Sequence, residues 1–152
     1  MTVLKQKVKD LMTTNIIATL PSDTIEEAAI LMKENNIGSV PVVSAGELKG
    51  ILTDRDIVTR CVAESKKPDS TKVSELMSSD IAFVTPEQSI HDAISIMSNE
   101  QVRRLPVIKD GYIDGMISFA DIARNNTDME IAKAISEISE PGTNFSNATK
   151  TI

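Results

Sequence analysis

Cysteine is almost missing from this chain: Cys61 stands alone among 152 residues, which excludes a disulfide framework and a thiolate metal site. A small buried core residue is the reading for it. Histidine is equally scarce, with only His91, so metal chemistry loses its best ligands. Tryptophan is absent, and one tyrosine with three phenylalanines gives few faces on which nucleic-acid bases could stack. Positive charge is also in deficit. Sixteen Lys and Arg against 22 Asp and Glu leave a net charge of −6, which disfavours a general polyanion binder that works by displacing counterions. No apolar run approaches the roughly 20 residues of a membrane span, and "MTVLKQKVKD" has lysines and an aspartate where a secretory signal carries its apolar stretch. A cytoplasmic protein that does not engage a membrane is expected.

What is present is a duplication. Shifting the sequence by 65 positions aligns 8–58 with 73–123 without a gap. Identities fall at Val8, Leu11, Met12, Pro21, Ile25, Ala28, Met32, Pro41, Val42, Gly46, Gly50, Asp56 and Ile57 and their partners. A unit of roughly 50 residues buries too little surface to stand by itself, so the economical arrangement is a pair facing each other about a pseudo-twofold axis.

Each unit reads in the same order. A helical turn, "VKDLM" or "VSELM", precedes a brief strand around 16–20 or 81–85, stopped by Pro21 or Pro86. Thr24 with Glu27, and Ser89 with Asp92, have capping-box spacing at the head of a helix whose apolar residues recur at i, i+3, i+4 and i+7. "SVPVV" and "RLPVI" then run through the turns Ala45-Gly46 and Asp110-Gly111 into "LKGIL" and "IDGMI", the pattern of a β-hairpin. Thr53 or Ser118 opens a last helix, with Ile57, Val58, Cys61 and Val62 at helical spacing in the first unit. The expected class is α+β, built from two β-α-β-β-α repeats with their sheets packed together. Its expected divisions are a first repeat over 1–65, a polar linker over 66–71 and a second repeat over 72–126. An amphipathic helix over 127–140 and a tail over 141–152 follow. Thr127 with Glu130 caps that extra helix, which folds back on its module or meets a partner.

The stretches "GILTDRD" and "GMISFAD" raise the functional question. A strand ends at Thr53 or Ser118 and a helix starts, so unpaired amide groups and a hydroxyl favour an anion there. One turn later Asp56 or Asp121 offers a carboxylate suited to a pair of sugar hydroxyls. Phosphate donors beside a diol acceptor suggest a ribonucleotide. The same spacing equally describes a capping box in which hydroxyl and carboxylate satisfy the helix start and bind nothing else. Arg103 and Arg104, side by side before Leu105-Pro106, could supply the cation cluster that a phosphate needs.

The duplicated unit, the "SVPVV" and "RRLPVI" strands and the two Gly-x-x-Thr/Ser-x-x-Asp motifs resemble a tandem pair of cystathionine-β-synthase (CBS) domains, a Bateman module, over about 8–124. The resemblance implies a regulatory module that binds AMP, ADP or ATP, and in some members S-adenosylmethionine, in clefts between the repeats. It implies a disc-shaped homodimer that signals to a partner protein, here an unknown target. It makes Asp56 and Asp121 ribose ligands and Thr53 and Ser118 phosphate contacts. Adenine would lie near Ile17, Val40 and Pro41 in one cleft, and near Ala82, Leu105 and Pro106 in the other. Arg103 and Arg104 would reach phosphates. Arg55 faces Ala120 in the alignment, Asp54 faces Phe119, and Gly38 and Ser39 stand where the second repeat has Arg103 and Arg104, so unequal affinities are expected.

With no P-loop, no Gly-x-Gly-x-x-Gly and no nucleophile with a recognisable base, an enzyme is not expected, nor is any required cofactor or metal. The rival reading is a dimerisation or protein-interaction module with vestigial ligand sites. A nucleic-acid-binding CBS protein is a third, weighed against by the acidic balance.

Overall fold

The computed structural model describes residues 5–138, and these form two compact units. The expected tail over 141–152, and the last residues of the expected extra helix, lie outside the described residues. One unit consists of 17–81 with 111–113, and the other of 5–16, 82–110 and 114–138. The units therefore interleave the sequence repeats, because the opening helical turn of each repeat belongs to the unit that holds the other repeat's hairpin.

In the first-repeat unit, helix α2 (Ile25–Asn35) is followed by strands β1 (Ser39–Ser44) and β2 (Glu47–Thr53), a helical turn α3 (Asp54–Asp56) and a π-helix over Ile57–Val62. Helix α4 (Val73–Leu76), which opens the second repeat, completes this unit; the other opening turn is helix α1 (Val8–Leu11). Thr24 caps α2 through its side chain, which accepts from the Glu27 amide at 3.1 Å. The next two donors of the same helix start go to the linker: Ile25 N–H to the Thr71 carbonyl at 2.9 Å and Glu26 N–H to the Pro68 carbonyl at 3.1 Å. In return, Val73 and Ser74 at the start of α4 donate to the Asp23 and Pro21 carbonyls at 2.8 and 3.0 Å. Two helix starts thus satisfy each other's orphan amides. The polar segment over 66–71 is an integral part of that exchange.

The second-repeat unit repeats the scheme with α1, α5 (Ile90–Glu100), β3 (Arg104–Lys109), β4 (Tyr112–Ser118) from residue 114 onward, α6 (Phe119–Arg124) and α7 (Asp128–Ile138). Val8 and Lys9 donate to the Gln88 and Pro86 carbonyls at 2.8 and 3.0 Å, and Ile90 donates to the Gln6 carbonyl at 2.8 Å. The cores follow the same membership. Val8 is buried with Val84, Ile90, Leu105 and Ile117, while Val73 and Leu76 are buried with Ile25, Val40 and Leu52.

The brief strands expected over 16–20 and 81–85 are reduced to one parallel bridge each. Thr19 N–H donates to the Pro41 carbonyl at 3.0 Å and Val43 N–H to the Thr19 carbonyl at 2.9 Å; Val84 does the same between Pro106 and Ile108 at 3.0 and 2.8 Å. Local side chains end the pairing. The Leu20 amide is taken by Asp23 Oδ2 at 2.9 Å and the Thr85 amide by Gln88 Oε1 at 2.8 Å, just before Pro21 and Pro86, which have no amide to offer.

Both hairpins have the expected two-residue turns. Ala45 and Gly46 have φ of 52° and 79°, and Asp110 and Gly111 have 53° and 85°, the left-handed pair whose twist matches flanking antiparallel strands. In β1 and β2 the register slips between Val42 and Val43, which face Gly50 and Leu48, so Lys49 is the extra residue of a bulge. Tyr112 at the start of β4 pairs with Glu47, and Ile113 N–H donates to the Gly46 carbonyl at 3.0 Å, all within the first-repeat unit.

The last helix of the first repeat departs from α spacing. Its bonds include Ala63 N–H to the Val58 carbonyl at 2.9 Å, five residues back. Cys61 is fully buried, as its reading requires, whereas Val58 and Val62 are 59% and 62% exposed. The extra helix α7 folds back on its own unit: Ile131 and Ala134 are buried in the core that holds α5, and the box between Thr127 and Glu130 is closed at 3.1 and 3.2 Å.

Two measurements test this architecture. A non-glycine residue without a polar side chain is strained at positive φ, so Ala45→Asn is expected to stabilise the chain by roughly 1 kcal/mol, a Tm rise of about 2–4 °C in thermal unfolding. Glu87 accepts from Lys7 Nζ at 2.7 Å and Lys9 Nζ at 2.9 Å. The Lys7 hydrogen bond, then that of Lys9, lowers its pKa from 4.5 to about 2. A depressed carboxylate contributes stability above its unfolded pKa and loses it as pH falls through the folded one. The stability difference between the native chain and Glu87→Gln is therefore expected to be constant above about pH 5 and to vanish as pH approaches about 2, and to shrink with added salt because the group is exposed.

Candidate functional site

The doubled motif is built alike in both units. Strand β2 ends at Thr53 with extended backbone (φ −113°, ψ 160°), and the chain turns at once into α3. Thr53 Oγ1 accepts from the Asp56 amide at 3.1 Å, and the Thr53 amide donates to Asp56 Oδ2 at 2.9 Å. In the other unit Ser118 Oγ accepts from the Asp121 amide at 3.1 Å, and the Ser118 amide donates to Asp121 Oδ2 at 3.0 Å. The capping-box alternative is thus realised in both copies.

A cap does not exhaust these groups. Each carboxylate has two oxygens with two lone pairs apiece, and the box uses one oxygen, Oδ2. The other is held by a guanidinium from the following turn. Arg60 Nε lies 3.8 Å from Asp56 Oδ1 while its Nη1 donates to the Leu76 carbonyl at 3.0 Å, and Arg124 Nη2 pairs with Asp121 Oδ1. The side chain of Asp56 is 13% exposed, and Asp121 is buried at 7%. Each hydroxyl, having accepted a hydrogen bond, still carries its own proton to donate. The geometry can therefore offer one O–H donor, one carboxylate oxygen and one guanidinium within about two turns.

The first-repeat unit contains Ile17, Val40, Pro41, Thr53, Arg55 and Asp56, and the second-repeat unit contains Ala82, Arg103, Arg104, Leu105, Pro106, Ser118 and Asp121. Strand register sets Ser39 opposite Thr53, Val40 opposite Leu52 and Pro41 opposite Ile51. The Asp54 amide donates to the Gly38 carbonyl and the Phe119 amide to the Arg103 carbonyl, each at 2.8 Å, so the approach to β1 or β3 is tied to the motif. Val40 and Leu105 are core residues, 0% and 1% exposed, and Pro41 and Pro106 beside them are buried as well. Ile17 and Ala82 are half-buried, and Arg55, Arg103 and Arg104 are exposed. Sequence reasoning assigned no role to Arg60 and Arg124. Their signal was the helical spacing Asp56-x-x-x-Arg60 and Asp121-x-x-Arg124.

Gly50 and Gly115, the first residues of the two motifs, have a further cause. A Cβ on Gly50 would lie 2.6 Å from Met77 Sδ and 2.8 Å from the Ser78 carbonyl oxygen, and one on Gly115 would lie 2.8 Å from the Thr13 carbonyl oxygen. Ile51 and Ser78 exchange two backbone hydrogen bonds of 2.9 Å, and Thr13 and Met116 exchange bonds of 2.8 and 2.9 Å. The glycines admit this backbone approach. Gly115→Ala is expected to destabilise the chain by about 1–3 kcal/mol in denaturant unfolding, since the contact is with backbone that cannot swing away.

Two repeats of this construction, each with a hydroxyl and an aspartate at a strand-to-helix turn, define a tandem CBS domain pair. The chain belongs to the CBS domain family, which matches residues 8–63 and 73–138. It is 43% identical over 133 residues to the CBS domain-containing protein YhcV of Bacillus subtilis, covering 87% of this chain and 94% of that one. Among solved structures it resembles Hypoxic Response Protein I, crystallised with two coordinated zinc ions (TM-score 0.73, 33% identity, 78% of this chain and 98% of that one). It also resembles the CBS domain pair of protein MJ0100 in complex with 5′-methylthioadenosine and S-adenosyl-L-methionine (TM-score 0.70, 27% identity, 80% and 95%). Among the described residues no group of three or more His, Cys, Asp or Glu could hold a metal ion, and no helix is long and apolar enough to cross a membrane.

Proposed function

We propose that this chain is a regulatory, non-catalytic module that binds an adenine nucleotide, AMP, ADP or ATP, and passes the signal to a separate target protein. Asp56 and Asp121 accept hydrogen bonds from the ribose hydroxyls through Oδ1, and Thr53 and Ser118 donate to phosphate. Adenine rests against Ile17 and Pro41 in the first-repeat unit and against Ala82 and Pro106 in the second. S-adenosylmethionine is an alternative occupant. A homodimer in the cytoplasm is the working form.

The observation that carries the reading is the second oxygen of each aspartate, which the cap does not use. The cap occupies Oδ2 alone, and Oδ1 lies beside an arginine in both units. CBS domain pairs commonly bind adenosine-containing ligands, and the MJ0100 pair was crystallised with two of them. The closed capping boxes favour one competitor, an interaction module whose Thr/Asp and Ser/Asp pairs only start helices.

Titration calorimetry separates the two. A dissociation constant at about the micromolar level, roughly −8 kcal/mol, is expected for AMP or ADP, with a higher Tm in its presence. Asp121→Asn keeps an oxygen for the Ser118 amide but loses the charge, so stability should fall by no more than the ~1 kcal/mol of a cap. Affinity should drop roughly 10- to 100-fold, the value of a charge-assisted hydrogen bond. Absence of both heat and melting shift with AMP, ADP, ATP and S-adenosylmethionine would overturn the nucleotide reading and favour the interaction module.

A further inference from the structure

The two motifs are alike in their caps and unlike in the charge around them. Position 38 and position 103 do the same backbone work: the Gly38 carbonyl accepts from Asp54 and the Arg103 carbonyl from Phe119, each at 2.8 Å. Their side chains are exchanged in kind. In the first-repeat unit position 38 carries no cation and a carboxylate takes the space beside it. A Cβ on Gly38 would come within 2.9 Å of Asp54 Oδ2, and Asp54 Oδ1 accepts from the Arg55 amide at 2.8 Å, which holds the carboxylate at the helix start. In the second-repeat unit the apolar Phe119 replaces that carboxylate and packs against the core, and Arg103 and Arg104 stand exposed at the entry to β3. The first constellation sets Asp54 and Asp56 against Arg55 and Arg60. The second sets Asp121 alone against Arg103, Arg104 and Arg124.

We infer that the two units sort adenosine derivatives by charge, and that Asp54 is the residue that decides it. The first-repeat site takes a derivative without phosphate, neutral or cationic, because the Asp54 carboxylate at the head of its motif repels one. The second-repeat site takes the phosphorylated form. Gly38 belongs to the same device, since any side chain there would displace the Asp54 carboxylate. This rests on the adenosine-binding reading above and adds to it a ligand class for each unit, in which Ser118 keeps the phosphate contact and the Thr53 hydroxyl meets an uncharged or cationic substituent instead.

The test uses the full chain with one site weakened at a time, Asp121→Asn to report the first-repeat site and Asp56→Asn to report the second. Affinities for adenosine and for AMP are measured by calorimetry, and the quantity read is their ratio. The Asp121→Asn chain is expected to prefer adenosine and the Asp56→Asn chain to prefer AMP. Adding Asp54→Asn to the Asp121→Asn chain should move the ratio toward AMP by on the order of tenfold, the scale of removing one unit charge several ångströms from a phosphate, and the shift should diminish at high salt. Equal ratios in the two single variants, or a ratio that ignores Asp54→Asn, would overturn the sorting while leaving nucleotide binding intact. Failure of the native chain to bind either compound would overturn both.

Discussion

The exchange of backbone hydrogen bonds between helix starts is the constraint on which each unit depends. An α-helix begins with amide donors that have no partner in the helix, and a buried start without partners is costly. Here α2 and α4 are satisfied by carbonyls from each other's approach segments, as are α1 and α5. Neither member of a pair can be removed without stranding donors of the other. The opening turn of each repeat is thereby bound into the unit that carries the other repeat's hairpin, and the apolar residues Val8 and Val73 are buried there. The glycines at the head of the functional motifs follow from the same arrangement, because the exchanged segments continue into backbone pairing at Thr13 and Ser78.

Much of this was legible in the sequence because the signals were local. The caps at Thr24 and Ser89, the stripes of α2 and α5, the two-residue turns and the box at Thr127 all depend on residues within a few positions of one another. What escaped was nonlocal. No periodicity announces that the amides of Val73 and Ser74 will find carbonyls at Asp23 and Pro21, so the opening turns could be predicted as helices but not assigned to their units. The reduction of the early strands to single bridges came from competition by Asp23 and Gln88 for the next amide, a choice visible only in the folded backbone. The π-helix over Ile57–Val62 was missed because Ile57, Val58, Cys61 and Val62 fit α spacing equally well.

At the candidate site the sequence presented two alternatives, cap or ligand contact, and the geometry makes them compatible. A carboxylate that must start a helix with one oxygen is fixed in orientation by that duty, and the remaining oxygen is then presented in a defined direction. The arginine one turn on holds that orientation. Duplicated sequence preserved this part in both copies while Gly38 and Asp54 diverged from Arg103 and Phe119, which separates what the fold demands from what a ligand would distinguish.

The interleaving also bears on how the chain reaches its native state during synthesis. Residues 17–81 contain nearly all of one unit and can close on themselves soon after emerging from the ribosome. Residues 5–16 emerge earlier still, yet their partners are 82–118: Thr13 must wait for Met116, and Val8 for Gln88. This earlier stretch is therefore placed later than the segment that follows it. For that interval its apolar side chains stand unprotected on the nascent polypeptide, an opening for chaperones or for mispairing that a colinear arrangement of the two repeats would not create.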